Sequence, residues 1–464
     1  MPNVSATMPL SGEVKIEPVR RLTGLYRPPP DKSITHRALI LSALAKGRST
    51  IAPVSRARDI ASTISCLRQL GIPIEHSDQT LVVDSPGVRG WTMPERALDC
   101  GNSGTTMRLL AGCLAARPFA CTLIGDDSLS KRPMSRVTEP LRRMGAQIAV
   151  TDRGTAPVRV SGTPLQGITY ELHVASAQVK SAVMLAGLDA AGETVVIEST
   201  PTRDHTERML AAAGVDCTVI LPPRPAGDRR ERLLASSGDA GDTPPHQRTI
   251  RIGAQRTVGP CDWIIPGDFS AAAFFLAAAI GVHKAEVIVD DVGLNPTRTG
   301  LLRVLNRMGA RLEVKRQDHG GGEPHGQIRL GATSSLKAVR VGENEIPSLI
   351  DELPILAVLA ARAEGVTVIR GASELRHKET DRIAAVTGNL RAMGAKVAEL
   401  DDGWAIEGPT DWHAATIDPA GDHRIAMAFA VAALWADGPS LLRDAGITAV
   451  SDPDFLSNLI AMAR

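Results

Sequence analysis

Along this chain short polar stretches open one apolar helix after another, and their residue types are those that hold anions. Asp31-Lys32-Ser33-Ile34-Thr35-His36-Arg37 runs into Ala38-Leu39-Ile40-Leu41, and Asn102-Ser103-Gly104 with Arg108 runs into Leu109-Leu110-Ala111. Ser176 with Gln178, Asp268, Asp351 with Glu352, and Asp422-His423-Arg424 stand at four further openings of the same kind. The first four N–H groups of a helix lack intrahelical partners, so a small acid or hydroxyl caps them and the rest attract negative charge. The helix dipole disfavours a cation there by about 0.3–1 kcal/mol. Arg37, Arg108 and Arg424 nevertheless stand just inside three of the openings. An anion between dipole and guanidinium reverses that sign, so the pattern points to phosphate or carboxylate ligands. Two further polar clusters, 126–133 and 374–382, bring Lys131 and Arg132, and Arg376, Lys378 and Arg382.

The elements that must position these residues repeat. Polar cap, Ala/Leu-rich helix, glycine and strand recur six times, opening at Asp31, Asn102, Ser176, Asp268, Leu349-Ile350-Asp351 and Asp422. A second pattern, a helix end followed by a strand, reads LRQLGIPI at 67–74, LRRMGAQI at 141–148, LNRMGARL at 305–312 and LRAMGAKV at 390–397, with a weaker copy at 209–216. Its glycine predicts a left-handed helix cap before the next strand. Each long repeat then resembles a βαβαββ unit unable to bury its own helices, and six of them make two three-unit domains. Residues 31–260 carry the first three repeats and 261–464 the last three, with a boundary near 263–268. The Pro-, Gly- and charge-rich stretch 222–248 reads as an exposed insertion between strands, and 319–322 (His-Gly-Gly-Gly) as a hairpin loop.

Composition narrows the classes. The chain has 464 residues, 43% hydrophobic and 22% charged, enough for more than one core. Aromatics are only 3%, which argues against base-stacking platforms, and a net charge of +1 offers no global attraction for polyanions. The six cysteines form no C-x-x-C pair and lie mostly in apolar stretches, as buried thiols in a reducing compartment do. No apolar run approaches the roughly 18 residues of a membrane span, and residues 1–30 show no signal-peptide core, so the expected location is the cytoplasm. Zinc spacings, a Walker loop and a G-x-G-x-x-G after a strand are all missing from the sequence. The chemistry is therefore expected at the helix openings.

Taken together, DKSITHR, GNSGTTMR, KRPM, SAQVKSA, NPTRTG, IDELPILA, RHKETDR and DHRIAM closely resemble the motifs of the EPSP synthase (3-phosphoshikimate 1-carboxyvinyltransferase) family, in order over about residues 12–455. SAQVK with NPTR resembles the subgroup that contains naturally glyphosate-tolerant enzymes. The resemblance implies an α/β fold of two domains, each of three βαβαββ units with buried helices, whose helix N-termini face an interdomain cleft. It implies one domain of 1–30 plus 266–464 and another of 31–265. The implied reaction joins the 5-hydroxyl of shikimate 3-phosphate to C2 of phosphoenolpyruvate and expels phosphate, with no metal or organic cofactor. The implied partners are these two small molecules alone, with no nucleic acid or membrane, and the protein is expected to be a monomer.

By the same resemblance Lys32, Arg132, Arg382 and Arg424 face phosphoenolpyruvate, with Gly104 lining its pocket. Lys32, Ser33, Arg37, Ser176, Gln178, Arg203, Asp351 and Lys378 match the residues that hold shikimate 3-phosphate. Asp351 matches the acid/base beside the 5-hydroxyl and Glu379 a second group near the methylene carbon. Asp351 and Glu379 are expected at separate helix starts. Lys32, crowded by cations, is expected to have a lowered pKa and to relay protons. Unpaired cations are expected to hold the domains apart until shikimate 3-phosphate binds. Three departures stand out: Pro29-Pro30 where the family has Pro-Gly, no lysine in 449–453, and Phe269, Ala271 and Ala272 in place of small hydroxylic residues. The UDP-N-acetylglucosamine enolpyruvyl transferase is the nearest rival, but its reactive loop carries a cysteine and 128–136 has none. A repeat-built nucleic-acid clamp, the rival from another class, calls for basic strand faces instead of acids at the helix openings.

Overall fold

A computed structural model describes residues 12–77, 79–221, 247–317, 322–333 and 335–463. The expected insertion falls almost wholly on 222–246, and the glycine loop on 319–321, outside the described residues.

The repeats fold as small mixed sheets, each paired with a helix that is apolar on all sides. In the first, Lys46–Ala52 lies parallel to Asp262–Ile264 and antiparallel to Thr80–Pro86, which pairs with Ile74–Ser77. The same order recurs in the second, third, fourth and fifth repeats, centred on Ala120–Ile124, Thr194–Glu198, Lys284–Gly293 and Ala363–Ile369. The sixth is closed differently: Ser440–Leu442 pairs parallel with Thr416–Ile417 and takes its antiparallel partner, Val14–Ile16, from the start of the chain.

Lys32–Leu44, Gly104–Leu114, Ala177–Gly187, Phe269–Gly281, Leu353–Ala360 and His423–Ala433 are the six central helices, buried along nearly their whole length. A helix without a polar face must be enclosed, and three packed together per half achieve this. Two separate cores result. One runs from Ile34 to Ile265; the other joins Ile16, Leu22 and Tyr26 to residues from Phe269 to Met462. The peripheral helices end as their glycines predict, with Gly71, Gly145, Gly214, Gly309 and Gly394 at φ between +82° and +98°.

The chain crosses between the halves twice, and the crossings pair. Asp31 N–H donates to Pro266 O at 2.8 Å and Asp268 N–H to Pro29 O at 2.7 Å. Neither bond needs a donor from Pro30, so proline is tolerated there. A Cβ on Gly267 would sit 2.8 Å from Asp291 O and 3.1 Å from Pro28 Cβ, which is why the opposite crossing needs glycine.

Candidate active site

Five of the six helix openings, all but that at Asp268, contribute residues to one cleft of about 490 Å³ between the two cores. Asp31, Ser176, Asp268 and Asp422 cap their helices as read from sequence. At the second opening the cap is Ser103, whose hydroxyl accepts from Thr106 N–H at 3.1 Å. Asn102 instead donates to Asp126 at 2.8 Å and accepts from Arg132 at 2.6 Å. At the fifth, Asp351 lies in a 3-10 turn, Ile350–Glu352, and makes no capping bond. Glu379 likewise precedes its helix, Arg382–Ala392, which Asp381 caps. Neither acid starts a helix; each instead pairs with surrounding cations.

Lys32, Ser33, Gly104, Arg132, Ser176, Gln178, Arg203, Asp351, Lys378, Glu379, Arg382 and Arg424 all line the cleft. Arg37 is not among its lining residues. It is buried, donating to Thr206 Oγ1 at 2.8 Å, Ser181 Oγ at 3.0 Å and Ser33 O at 3.0 Å. Burial lowers its pKa to about 10, with only partial opposition from Glu207.

Ion pairs knit the site. Arg203 donates to Asp351 Oδ2; Arg382 and Arg424 stand 3.6 and 3.7 Å from the same carboxylate. Burial pushes the Asp351 carboxyl up, and Arg424, Arg203 and Lys378 more than reverse this, holding it well below the usual carboxylate range. Glu379 lies 2.6 Å from Arg382 and 3.5 Å from Arg132. It too is held low against burial, chiefly by Arg382 and Arg132. Lys32 donates to Asp59 at 2.9 Å. Burial alone lowers its pKa, but Asp59 outweighs burial and the net shift is upward, opposite to the expectation from sequence. Lys32 is therefore a firmly charged anchor, unsuited to relaying protons near neutral pH.

Asp59, Arg136, Glu374 and Thr105 are among the cleft residues that carried no singled-out role in the sequence reading. Arg136 lies four residues after Arg132 and pairs with Glu374 across the cleft at 3.2 Å. Proximity to Arg132 and membership of the 374–382 cluster were the only signals for this pair. With Arg203–Asp351 and Arg132–Glu379 it makes three cross-cleft pairs. The halves are thus drawn together by opposite charges, and the repulsion expected from unpaired cations is not what the structure contains. Arg108 donates to Gln178 Oε1 at 2.5 Å, and Gln178 to Thr105 Oγ1 at 2.9 Å. Burial and then Arg136 and Arg132 lower the Arg108 pKa to about 9. Buried Nε atoms of Arg108, Arg132 and Arg136 have no hydrogen-bond partner. Three crowded guanidiniums with spare donors constitute a seat for an anion.

Behind this wall a chain of hydroxyls ties the first two openings together. His36 Nδ1 lies 2.7 Å from Thr63 Oγ1, which lies 2.6 Å from Thr106 Oγ1, itself donating to Ser103 at 2.7 Å. Burial lowers the His36 pKa to about 3. A histidine whose folded pKa lies below its unfolded value stabilises the fold above about pH 6.5, and this contribution is lost as pH falls toward the folded pKa. Urea unfolding at pH 7.5 and 4.5 should therefore show a lower midpoint in acid. His36→Asn should make that drop smaller by about 1 kcal/mol or more. An unchanged drop in the variant would exclude His36 as its source.

Comparison with known proteins gives one consistent result. A family model described as EPSP synthase (3-phosphoshikimate 1-carboxyvinyltransferase) matches residues 16–224 and 221–459. The 3-phosphoshikimate 1-carboxyvinyltransferase of Shouchella clausii (strain KSM-K16) is 44% identical over 439 residues, 94% of this chain and 96% of its own. That of Bacillus subtilis (strain 168) is 43% identical over 453 residues, 97% of this chain and 100% of its own. The solved EPSP synthase from Acinetobacter baumannii is 38% identical with a TM-score of 0.81, and 98% of each chain is covered. The enolpyruvyl transferase NikO from Streptomyces tendae, 19% identical with a TM-score of 0.72 over 98% of each chain, shares the fold.

Proposed function

Because the chain belongs to the EPSP synthase (3-phosphoshikimate 1-carboxyvinyltransferase) family and is an enolpyruvyl transferase of the shikimate pathway, we propose that this cleft is where it acts. Phosphoenolpyruvate gives its enolpyruvyl group to the 5-hydroxyl of shikimate 3-phosphate, phosphate leaves, and the product feeds aromatic amino-acid synthesis. The observation that carries the assignment is the charge inventory. Each substrate brings a phosphate and a carboxylate, and Lys32, Arg108, Arg132, Arg136, Arg203, Lys378, Arg382 and Arg424 surround one cavity with Asp351 and Glu379 among them.

In this reading the hydroxyl oxygen bonds to C2 of phosphoenolpyruvate as its proton leaves and the CH₂ carbon gains one. In the second stage that carbon returns a proton and the C2–phosphate bond breaks. Asp351 takes the hydroxyl proton and Glu379 serves the methylene carbon. Both are held low by guanidiniums, Asp351 by Arg424 and Arg203 and Glu379 by Arg382 and Arg132. Substrate anions compete for those guanidiniums, so binding itself raises the proton affinity of the two carboxylates toward working values. Lys32, Arg132, Arg382 and Arg424 hold phosphoenolpyruvate; Ser33, Ser176, Gln178, Arg203 and Lys378 hold shikimate 3-phosphate. Arg37 supports that second set from behind by bonding Ser33 O and Ser181. Holding two reactants in line is itself worth roughly 7–11 kcal/mol. The working unit is a monomer in the cytoplasm, with domains of 1–30 plus 266–464 and 31–265. Phosphate release from phosphoenolpyruvate with shikimate 3-phosphate, and none with UDP-N-acetylglucosamine, is the test. Release with the sugar nucleotide alone would overturn the assignment.

The SAQVK and NPTR motifs resemble those of the glyphosate-tolerant subgroup, in which alanine often stands where this chain has Gly104. A Cβ on Gly104 would lie 2.8 Å from Arg108 Nη1 and 3.6 Å from Arg132 Nη1. The guanidinium ends must shift, which narrows the pocket more for the longer glyphosate than for phosphoenolpyruvate. Discrimination of this size is about 1–3 kcal/mol. Gly104→Ala should weaken glyphosate at least about tenfold while the phosphoenolpyruvate KM rises less. Inhibition against varied phosphoenolpyruvate measures both, and an equal factor for the two would remove Gly104 from the pocket.

A further inference from the structure

We infer that the segment Asn295, Thr297 and Arg298 is a brace that sets Arg203 and Asp351 in register across the cleft, a positioning role that rests on the reading of Asp351 as the base. Two ends of this short segment grip the neighbours of the two cleft residues. At one end Arg298 Nη1 donates to Glu352 Oε2 at 2.6 Å, and Arg298 Nη2 donates to Ser270, whose hydroxyl donates to Glu352 Oε1 at 2.6 Å. Glu352 is the residue after Asp351 and is 1% exposed. Its Oε1 also lies 3.8 Å from Arg424 Nη1, which donates to Asp351 O at 3.2 Å. At the other end Asn295 donates to Asp204 Oδ1 at 2.7 Å and Thr297 Oγ1 accepts from Asp204 N–H at 3.3 Å. Asp204 is the residue after Arg203.

The arrangement answers a specific difficulty. Asp351 sits in a 3-10 turn without a capping bond, and Arg203 sits in a loop ahead of the helix His205–Ala212. Neither is held by its own secondary structure, and they belong to different halves of the molecule. Bonds from one short segment to Asp204 and Glu352 tie both backbones to each other. Stability alone does not explain the investment, since a buried ion pair such as Arg298–Glu352 adds little over well-packed apolar side chains. Outer residues that orient reacting groups have measurable effects, of about 10–100-fold where such partners are removed from metal sites. Phe269, which departs from the family pattern, fits here too: its ring lies 5.7 Å from the Arg298 guanidinium and closes the apolar side of the brace.

The test compares Arg298→Lys, Ser270→Ala and Asp351→Asn in the full-length protein, reading kcat, shikimate 3-phosphate Kd and the pH profile of kcat/KM. Arg298→Lys should lower kcat at least about tenfold and Ser270→Ala about threefold, with Kd changed less than about threefold in each. The acid limb should move to higher pH in Arg298→Lys, because one ammonium cannot hold Glu352 and Ser270 as the guanidinium fork does, and Asp351 then drifts from the Arg424 and Arg203 guanidiniums that hold its carboxyl low. A purely structural role lowers the melting temperature without moving that limb. Should Arg298→Lys fail to fold, Ser270→Ala, which deletes one neutral hydroxyl, decides through kcat. If Asp351→Asn is inactive while the foldable brace variants keep kcat within about twofold and an unmoved limb, the brace is overturned alone. If Asp351→Asn itself stays active, the base assignment fails first, and the brace with it.

Discussion

Asp351→Asn is expected to lose at least about a hundredfold in turnover while shikimate 3-phosphate affinity changes by less than about threefold. The amide keeps the side chain's shape but cannot accept a proton. It also removes the negative charge that Arg203, Arg382 and Arg424 now share. Those cations are left free for the substrate's anionic groups, so ground-state binding is preserved or tightened while the chemical step fails. This split separates a base from a residue that only binds, because a binding residue would raise KM and leave kcat. Steady-state kinetics with both substrates varied, together with calorimetric titration of shikimate 3-phosphate, give the two quantities. Retention of more than about a tenth of wild-type turnover, a loss under 1.4 kcal/mol, would end the base assignment.

Lys32→Met should damage binding and turnover together. The ammonium stands at the first residue of a helix, in the cleft, paired with a largely buried Asp59. Removing it takes away a cation from the proposed phosphoenolpyruvate seat and leaves Asp59 without its partner. Truncating one member of a buried charge pair costs about 2–5 kcal/mol, or roughly 30- to several-thousand-fold in kcat/KM. A companion variant separates the two consequences. In Asp59→Asn, burial and Arg424 push the Lys32 pKa down with less opposition, so Lys32 loses its proton at lower pH. The alkaline limb of kcat/KM for phosphoenolpyruvate should then move downward, with activity near wild type at pH 6.5. A limb that does not move would show that Lys32 carries no charge the reaction needs.

In the two carboxylates, ion pairing and proton transfer pull in opposite directions. Each is ionised and pinned by guanidiniums, which makes it a weak base as it stands. The same guanidiniums are the proposed seats of the substrates. Proton affinity and substrate binding are therefore coupled through shared counter-ions: a phosphate arriving on Arg203 or Arg382 loosens the hold on Asp351 or Glu379. The three cross-cleft pairs belong to this logic. They join the halves with protein carboxylates standing where, in the proposed reading, ligand anions compete.

The sequence by itself determined the repeat, because each repeat states local backbone demands. Asp31, Ser176, Asp268 and Asp422 were readable as caps from a small polar residue ahead of an apolar run, and the five left-handed glycines from their place between helix and strand. The six all-apolar helices could only be interior, so two multi-helix cores followed. Anion chemistry was readable too, from arginines placed against helix dipoles. Only the tertiary structure decided which of those arginines reach the cleft. Arg37 lies near the start of its central helix, as Arg108 and Arg424 do, yet Thr206 and Ser181 bind it behind the wall. Asn102 and Ser103 are equally good caps, and the choice fell to Asp126 and Arg132, 24 and 30 residues away from Asn102. The upward shift of Lys32 depends on Asp59 in another helix. Arg136 meets Glu374 across 238 positions, and Arg203 meets Asp351 across 148. Caps and left-handed turns are bonds within a few residues, so sequence spacing contains them. An ion pair across a cleft depends on how two separately folded halves meet, and no local spacing encodes that distance.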